Sequence, residues 1–288
     1  MDYLIHFGIL AGIYAILAIA LNLLVGFTGL VSLAHAAFFA IGAYTAAILT
    51  TALHIHFFIA AILGAVVAAV AALLIGLVLS RFRDDFYLLC SIGFTFIVYT
   101  IFVNWADLTN GPLGISGIPR PVFFGLDFAD NKLFFLKVLL IVGFVFWRAD
   151  FFVKSSFGRA LKAIREDEQA LQIFGYKTTY YKLIVFVIAG AIAAVAGALF
   201  ASYIRYIDPS VAILNESIFA LAIIILGGLA DLRGSVIGAI ILIFLPELLR
   251  FVGFPADIAG QMRQLMYGVL LVLFMLYRPQ GFLGKFKL

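Results

Sequence analysis

One long run without charged side chains constrains the fold of this chain more than any other feature. Between Tyr3 and Ser80 the sequence contains no Asp, Glu, Lys or Arg. At about 1.5 Å per residue this run would form roughly 117 Å of helix, enough for about three crossings of a ~30 Å hydrocarbon core. A soluble domain of this size could not bury so much apolar surface. The run therefore predicts an all-α, polytopic membrane protein.

Composition supports the same class. Hydrophobic residues make up 65% of the 288 residues and charged residues only 12%, whereas soluble domains carry about 25% charged residues. No separate soluble domain is visible, so residues 1–288 are predicted to form a single transmembrane domain. Breaking the chain at its polar clusters gives about nine candidate spans, within a range of eight to ten: 3–25, 31–53, 57–80, 86–104, 133–147, 183–204, 216–229, 235–252 and 262–277.

The span count stays open between eight and ten, because it depends on whether two regions, 26–32 and 216–252, contain re-entrant or broken helices. The first of them, GFTGLVS, holds two glycines where a helix would break and expose backbone groups. Such groups are tolerated inside a membrane only where protein or water satisfies them. A weak internal similarity links VGFTGLVSLAHAAFFAIGA with LGGLADLRGSVIGAIILIF, and duplicated halves are common in transporters.

The distribution of Lys and Arg predicts the orientation. If the loop 148–182 is cytoplasmic, thirteen of the nineteen Lys and Arg residues lie inside, and the opposite orientation reverses the ratio. The C-terminus is then cytoplasmic and, with nine spans, the N-terminus is outside. The longest external segment is 105–132, which is rich in turn-forming residues.

The loop segment 158–177, GRALKAIREDEQALQIFGYK, is too polar to span a membrane. Its apolar positions, Leu161, Ile164, Leu171 and Phe174, share one face of a helix. Ser155 or Ser156 would cap the start of that helix and Gly175 would end it. The pattern predicts one helix of about 25 Å between two spans.

Three interpretations of this helix remain open. It could lie on the membrane surface, although the acidic residues of REDE in its middle would be repelled by anionic lipid. It could be a solvated loop helix without a role. It could also dock a cytoplasmic protein, with apolar residues for a groove and mixed charges to set the register.

Six segments along the chain resemble one protein family. GRALKAIREDEQALQIFG is similar to the coupling loop of bacterial ABC importer permeases of the branched-chain amino-acid type, the LivM-like group. Five further segments follow the pattern of that family: ALNLLVGFTGLVSLAHAAFFAIGAYTAA (20–47), LTNGPLGI (108–115), IDPSVA (207–212), SIFALAIIILGGLADLRGSVIGA (217–239) and YRPQGFLGKF (277–286). The chain departs from the usual pattern at Leu30, where Gln is usual, and at Ala34, where Gly is usual.

The resemblance implies a subunit that works in a larger importer. Its partners would be a second, homologous permease subunit, two cytoplasmic ATPase subunits and an extracytoplasmic substrate-binding protein. The ATPase would grip the coupling helix, whose residues would be Gly158, Arg159, Leu161, Ala163, Ile164, Arg165, Glu166, Asp167, Glu168, Leu171 and Gly175. Removal of Glu168 or Leu161 is then expected to uncouple ATP hydrolysis from transport. The location would be the bacterial inner membrane.

The chain itself lacks the sequence of an ATP site. The phosphate-binding pattern GxxxxGK[ST] is absent, since the only Gly-Lys pair, Gly284-Lys285, is followed by Phe286. We therefore expect no enzyme activity and no cofactor in this chain, with ATP and Mg²⁺ bound by the partner subunit. The resemblance implies branched-chain amino acids as substrates, or other hydrophobic amino acids and related small amides or acids.

The main alternative is a secondary transporter or channel that works without an ATPase. Such proteins often carry ionisable residues at mid-membrane. In this chain the carboxylates near the predicted spans fall at or near span ends: Asp107, Asp208, Glu216, Asp231, Glu247 and Asp257. That placement argues against proton coupling. A membrane-embedded enzyme is disfavoured because neither HExxH nor GxSxG occurs.

Neutral polar residues are the candidates for substrate contact. Asn22, Thr28, Ser32 and His35 lie deep in predicted spans and would line the translocation pathway, or would instead bond between helices. In the outer loop, Thr109, Asn110, Gly111 and Gly114 would contact the binding protein or close an outer gate, unless they only form turns. No metal site is expected, because His54 and His56 have no Cys or acidic companions nearby.

Overall fold

The computed structural model describes residues 2–250, except 83, 121, 124–125 and 128–129. Beyond residue 250 it describes only 265, 268–269, 272–273, 276 and 281–283. The described part is dominated by helices: α1 (Asp2–Thr28), α2 (His35–Thr51), α3 (Phe57–Leu79), α4 (Asp84–Asn104), α5 (Ala106–Thr109), α6 (Asn131–Lys154), α7 (Ser156–Glu166), α8 (Glu168–Ile173), α9 (Thr178–Ile204), α10 (Leu214–Gly227) and α11 (Leu232–Arg250). Four two-residue strands complete it: β1 (Ile115–Ser116), β2 (Val122–Phe123), β3 (Leu126–Asp127) and β4 (Tyr206–Ile207).

Four described helices are long and apolar enough to cross a membrane. They are Tyr3–Thr28, Phe57–Leu79, Asp85–Asn104 and Thr178–Ile204. A fifth span results if α10 and α11 are counted together, since they pass the same test as a pair but are bent by 117° at their junction. The all-helical, membrane-spanning class predicted from the sequence is confirmed.

The predicted count of nine spans is not confirmed. The candidates 216–229 and 235–252 correspond to the bent pair α10–α11 rather than to two straight crossings. The candidate 133–147 lies inside α6, whose 24 residues include charged side chains near both ends. The candidate 31–53 begins later, at His35, and α2 has only 17 residues. The candidate 262–277 lies largely outside the described residues.

The helices differ in how deeply they are packed. Of the most apolar stretch of α1, 78% is buried inside the chain, against 28% for α3 and 22% for α4. The exposed large side chains of α3 and α4 are apolar, which suits lipid or another subunit but not water. α1 and α9 therefore form the centre of the bundle, and α3 and α4 its flanks.

Small residues allow α2 to approach α9 closely. A Cβ on Gly42 would clash with the backbone of Ala194, and one on Gly197 would clash with the backbone of Phe39. Replacing either glycine would therefore push the two helices apart. This is the packing that small-residue runs such as AGAIAAVAGALFAS permit between membrane helices.

The break predicted at 26–32 is present and lies inside the protein. α1 ends at Thr28, residues 29–34 are not helical, and α2 starts at His35. Polar side chains from other helices satisfy the freed backbone: Leu33 N–H donates to Ser91 Oγ at 3.0 Å, and its carbonyl accepts from Thr95 and Ser217. The requirement that protein must satisfy such a break is therefore met.

Candidate functional site

The polar loop begins with a sharp turn at Ser155. Its hydroxyl donates to the carbonyl of Phe152 in α6 and accepts from the N–H of Gly158 in α7. A Cβ on Gly158 would overlap the backbone of Val153. A side chain at position 158 is therefore excluded, and α7 follows α6 with only one residue between them. The predicted cap at Ser155 is confirmed.

The predicted single helix is instead two helices, α7 and α8. Asp167 separates them with an extended backbone, at φ −156° and ψ 101°, and its carboxylate accepts from the N–H of Ala170. Asp is a strong N-cap residue, so it starts a new helix rather than continuing the old one. Gly175 follows α8 at φ +83°, a conformation that favours glycine, and ends the polar helices as predicted.

The apolar face predicted for docking is divided by this break. Leu161 and Ile164 are buried, and α7 packs against α1, α6 and α9 of the same chain. Leu171 is half-buried, whereas Phe174 is 80% exposed. Leu161 and Ile164 therefore hold the loop onto the bundle, and only the later part of the face is open to a partner.

Two basic residues of α7 hold the end of α1. The guanidinium of Arg165 donates to the carbonyl of Gly26, and the ammonium of Lys162 lies 5.6 Å from the centre of the Phe27 ring. Partial burial lowers the pKa of Arg165, and the neighbouring Glu166 opposes this change. Arg165 remains charged because an arginine pKa is so high. The loop is thus attached directly to the residues that precede the 29–34 break.

Glu168 attaches α8 to the start of α9. Its carboxylate forms an ion pair with Lys182 at 2.5 Å and accepts from the Thr178 hydroxyl at 2.8 Å. Gln172 donates to the same carboxylate and to Thr178. The side chain of Lys182 is only 3% exposed, and Glu168 provides its counter-ion. This contact joins residues that the sequence pattern alone did not connect.

The exposed surface of the loop lies at its far end. Ile173 and Phe174 are 85% and 80% exposed, and Tyr176 and Tyr180 are about half exposed. An open depression of about 360 Å³ lies here, lined by Phe174, Gly175, Tyr176, Lys177, Tyr180 and Tyr181. Ile173 and the tyrosines were not among the predicted residues, although the segment IFGYKTTYY is visibly rich in aromatic residues.

Among the predicted pathway residues, Asn22 has the most complete set of hydrogen bonds. Its amide donates to Ser235 Oγ at 2.7 Å and to the carbonyls of Asp231 and Gly228, and its oxygen accepts from the N–H of Ala230. These partners form the corner between α10 and α11. Asn22 therefore joins α1 to the bend of the broken pair.

The other predicted pathway residues lie around the first break. Thr28 donates to the carbonyl of Leu24 and Ser32 accepts from the N–H of Ala34. His35 is fully buried, and its imidazole lies near the backbone of Ala20. Within the described residues, neither ring nitrogen forms a hydrogen bond of normal geometry. The structure thus places all four side chains inside the chain, two of them in local bonds.

The outer loop forms a compact turn against the IDPSVA segment. The Thr109 hydroxyl donates to the Phe102 and Trp105 carbonyls, and the Asn110 amide donates to the Gly114 carbonyl at 2.9 Å. β1 then pairs with β4 in antiparallel register. Gly111 and Gly114 have positive φ values, and a Cβ on Gly114 would meet the carbonyl of Ile207. Two segments far apart in sequence are thereby joined at one end of the bundle.

Glu216 lies deeper than its position at a predicted span end suggests. Its carboxylate accepts from the Tyr14 hydroxyl at 3.0 Å, and Tyr14 is near the middle of α1. In the same helix turn, the hydroxyl of Ser217 donates to the carbonyl of Leu33 in the first break. Glu216 thus lies in the first turn of α10, as expected at the start of the predicted span 216–229, but this helix start reaches the level of the middle of α1.

Two exposed histidines, His54 and His56, lie in the turn between α2 and α3. His54 has a positive φ and His56 stacks on Phe58 with 5.6 Å between ring centres. Within the described ranges, no group of three His, Cys, Asp or Glu side chains could hold a metal ion.

Long apolar helices, two helix breaks satisfied by polar side chains and a polar loop attached at one end define a polytopic membrane protein of the transporter class. Residues 3–275 match the family model described as the branched-chain amino acid transport system permease component. The chain belongs to this family.

Curated relatives agree with that assignment. The chain is 35% identical to the high-affinity branched-chain amino acid transport system permease protein LivM of Salmonella typhimurium and to LivM of Escherichia coli. Each alignment covers 94% of this chain and 68% of the relative. It is 27% identical to LivH of Escherichia coli over 96% of this chain and 92% of that protein. No solved structure matches the chain.

Proposed function

We propose that this chain is the membrane-spanning permease subunit of an ATP-driven ABC importer in the bacterial inner membrane. Its substrates are branched-chain or other hydrophobic amino acids, or related small amides and acids. Its partners are a second, homologous permease subunit, two cytoplasmic ATPase subunits and an extracytoplasmic binding protein. ATP and Mg²⁺ bind to the ATPase subunits, and this chain hydrolyses nothing itself.

The observation that carries this proposal is the two-sided construction of the polar loop. One side is attached to the bundle through Leu161, Arg165 and Glu168. The other side exposes Ile173 and Phe174 next to an open depression. A loop with these two sides can be displaced by a docked protein, and its displacement would move the end of α1 and the start of α9.

The attachments specify where the movement would go. Arg165 holds the carbonyl of Gly26 just before the first helix break, and Glu168 holds the start of α9 through Lys182. Movement of the loop would therefore shift the end of α1 relative to α9. Because Asn22 in α1 binds the corner between α10 and α11, the second break would move with the first.

The structure changes which variants are suited to test this docking. Leu161 is fully buried, and truncation of a buried leucine destabilises a protein by about 2–5 kcal/mol. Loss of transport in such a variant would not distinguish docking from folding. The exposed Phe174 is a better position, because its side chain contributes little to the packing of the chain itself.

The first experiment is purification of the tagged chain from native membranes in mild detergent, with identification of every copurifying protein. We expect an ATPase with a phosphate-binding loop, a second permease and a binding protein, and ATP-dependent uptake of an amino acid by the reconstituted complex. Recovery of the chain alone, under conditions that preserve other membrane complexes, would favour a secondary transporter instead.

The second experiment locates the docking surface with Phe174→Asp. An aspartate buried in an apolar contact is costly, so we expect copurification of the ATPase to fall about tenfold. The matched control is Leu113→Asp, which places the same charge at a 75% exposed leucine in the outer loop. Equal ATPase recovery from the two variants would show that the loop end is not the docking surface.

A further inference from the structure

A carboxylate lies near mid-depth of the described bundle. Glu216 accepts a hydrogen bond from Tyr14, and the span Tyr3–Thr28 extends roughly 17 Å before Tyr14 and roughly 21 Å after it. The chain reaches this depth after β4 through a short turn, Pro209–Ala212, whose Val211 and Ala212 pack against α2 and α4. The first turn of α10 thus begins inside the bundle.

Four helices meet at the Tyr14–Glu216 pair. The Tyr14 ring contacts Phe39 of α2, Phe200 of α9 and Phe219 of α10, with ring centres 5.2 to 6.5 Å apart. These rings fix the phenol, so its hydroxyl holds one oxygen of the carboxylate in a defined place. Among the described residues, the other carboxylate oxygen has no hydrogen bond.

No cation compensates this carboxylate in the described part of the chain. The ion pairs there are Lys154–Asp150 and Lys182–Glu168, and both lie in or beside the polar loop. Glu216 lies in the first turn of α10, near the partial positive charge of the helix N-terminus. Even so, an ionised carboxylate at this depth is costly without a partner, and such residues commonly mark a transport pathway.

The carboxylate is also accessible from outside the chain's own core. Glu216 is only partly buried, its neighbour Asn215 is exposed, and Ile218 is 44% exposed. A ligand that reached this face would meet one negative charge surrounded by apolar side chains. That combination fits a small zwitterion with a hydrocarbon side chain, whose ammonium group needs an acceptor when it leaves water.

We propose that Glu216 is a substrate contact that binds the ammonium group of an amino acid during its passage, with Tyr14 as the positioning residue for the carboxylate. This inference rests on the proposed importer function and deepens it. Glu216 on α10 would then recognise the charge of the substrate, and the apolar residues beside it would contact the hydrocarbon part.

The test compares two ligands on the whole importer complex, reconstituted in lipid nanodiscs without the binding protein. Binding of L-leucine and of 4-methylpentanoate, which has the same carbon skeleton without the amino group, is measured by saturation-transfer difference NMR. For Glu216→Gln, which keeps an acceptor for Tyr14, we expect the Kd of L-leucine to rise about tenfold. The Kd of 4-methylpentanoate should change less than about twofold, because it has no ammonium group.

Two further variants separate charge from shape. Glu216→Asp keeps the charge and should bind L-leucine more tightly than Glu216→Gln, whereas Tyr14→Phe should give an intermediate loss. The matched control is Asp85→Asn, which removes an exposed carboxylate from the first turn of another helix, α4, and should leave both Kd values unchanged. If Glu216→Gln fails to assemble, the comparison of Glu216→Asp and Tyr14→Phe with wild type decides the question.

Several outcomes would overturn the inference. Unchanged leucine binding in Glu216→Gln would do so, and so would equal losses for the two ligands, since a structural or proton-binding role affects both alike. The importer function is tested separately by ATP-dependent uptake with wild-type protein. Normal amino-acid uptake together with an insensitive Glu216 would reject this inference alone, and absence of amino-acid uptake in wild type would reject the substrate class itself.

Discussion

At the scale of single residues, the buried polar side chains divide by the kind of partner they have. Asn22, Ser91 and Ser217 bind backbone groups that the helix breaks leave free. Glu216 has a hydroxyl partner for one oxygen and no cation in the described part of the chain. The first group explains how irregular backbone is tolerated inside the bundle. Burying the carboxylate of Glu216 without a cation is unfavourable, and this is why we propose a ligand for it.

Asn22 provides the sharpest test of a structural polar residue. Replacement by Leu, which has a similar volume, leaves the buried N–H of Ala230 without an acceptor. It also removes the two amide N–H donors that Ser235, Asp231 and Gly228 share. We expect the free energy of unfolding to fall by about 2 kcal/mol or more, because each buried unsatisfied group costs about 1–3 kcal/mol. The measurement is the thermal stability of the purified protein in detergent.

The control for this substitution is Asn104→Leu at the end of α4. The Asn104 side chain is exposed and donates to the carbonyl of Thr100 in its own helix. Its replacement should leave the melting temperature nearly unchanged. A wild-type melting temperature in Asn22→Leu, combined with lost transport, would instead support the pathway role predicted from the sequence.

At the scale of elements, the polar loop shows which residues determine where a helix begins and ends. Ser155, Asp167 and Gly175 mark the ends of α7 and α8 by capping and positive φ, and two of these three were predicted. The Asp167 break was missed because the apolar periodicity runs through it. The local N-cap preference of Asp outweighs that periodicity once Glu168 is held by α9.

The ion pair between α8 and α9 provides the test at this scale. In Glu168→Gln the nearly buried Lys182 loses its counter-ion, and removal of one partner of a buried pair costs about 3 kcal/mol or more. We expect faster proteolysis within the segment 155–182 and reduced ATP-dependent uptake. The double variant Glu168→Lys with Lys182→Glu should recover part of both losses.

Glu166→Gln is the matched control, since it removes an exposed carboxylate two residues away. Exposed substitutions of this kind change stability by no more than about 0.5 kcal/mol. If Glu166→Gln and Glu168→Gln accelerated proteolysis equally, the attachment of α8 to α9 would not depend on this pair.

At the scale of the whole molecule, the polar loop and the outer loop lie at opposite ends of the bundle. Arg165 contacts the carbonyl of Gly26 near the end of α1, whereas His6 near its start bonds Tyr203 close to the end of α9. β4, which pairs with β1 of the outer loop, follows directly after that end. The orientation predicted from Lys and Arg therefore assigns the end with the polar loop to the cytoplasm and the end with the outer loop to the outside.

Single-cysteine labelling tests that orientation. In a Cys90→Ala background, a cysteine is placed at Leu113 or at Phe174, which are 75% and 80% exposed. A membrane-impermeant maleimide should label Leu113→Cys in intact spheroplasts and Phe174→Cys only after permeabilisation. Labelling of both in detergent confirms reactivity, and the reverse pattern in spheroplasts would invert the assigned orientation.

The sequence by itself determined the class of the protein, its family and several of its local boundaries. Long uncharged runs can be buried only in lipid or in protein, so periodicity and composition are sufficient to identify membrane helices. Caps such as Ser155 and Gly175, and the break at GFTGLVS, depend on residues within a few positions of one another. Interactions between residues so close in sequence can be predicted from the sequence itself.

Only the tertiary structure decided which polar residues meet. Asn22 bonds residues more than two hundred positions away, Glu168 bonds the start of α9, and Tyr14 places Glu216 deep in the bundle. The same fold joined two predicted spans into a pair bent by 117°. Hydropathy records how much a segment avoids water, but the partner of a buried polar group depends on helix packing, which no local pattern specifies.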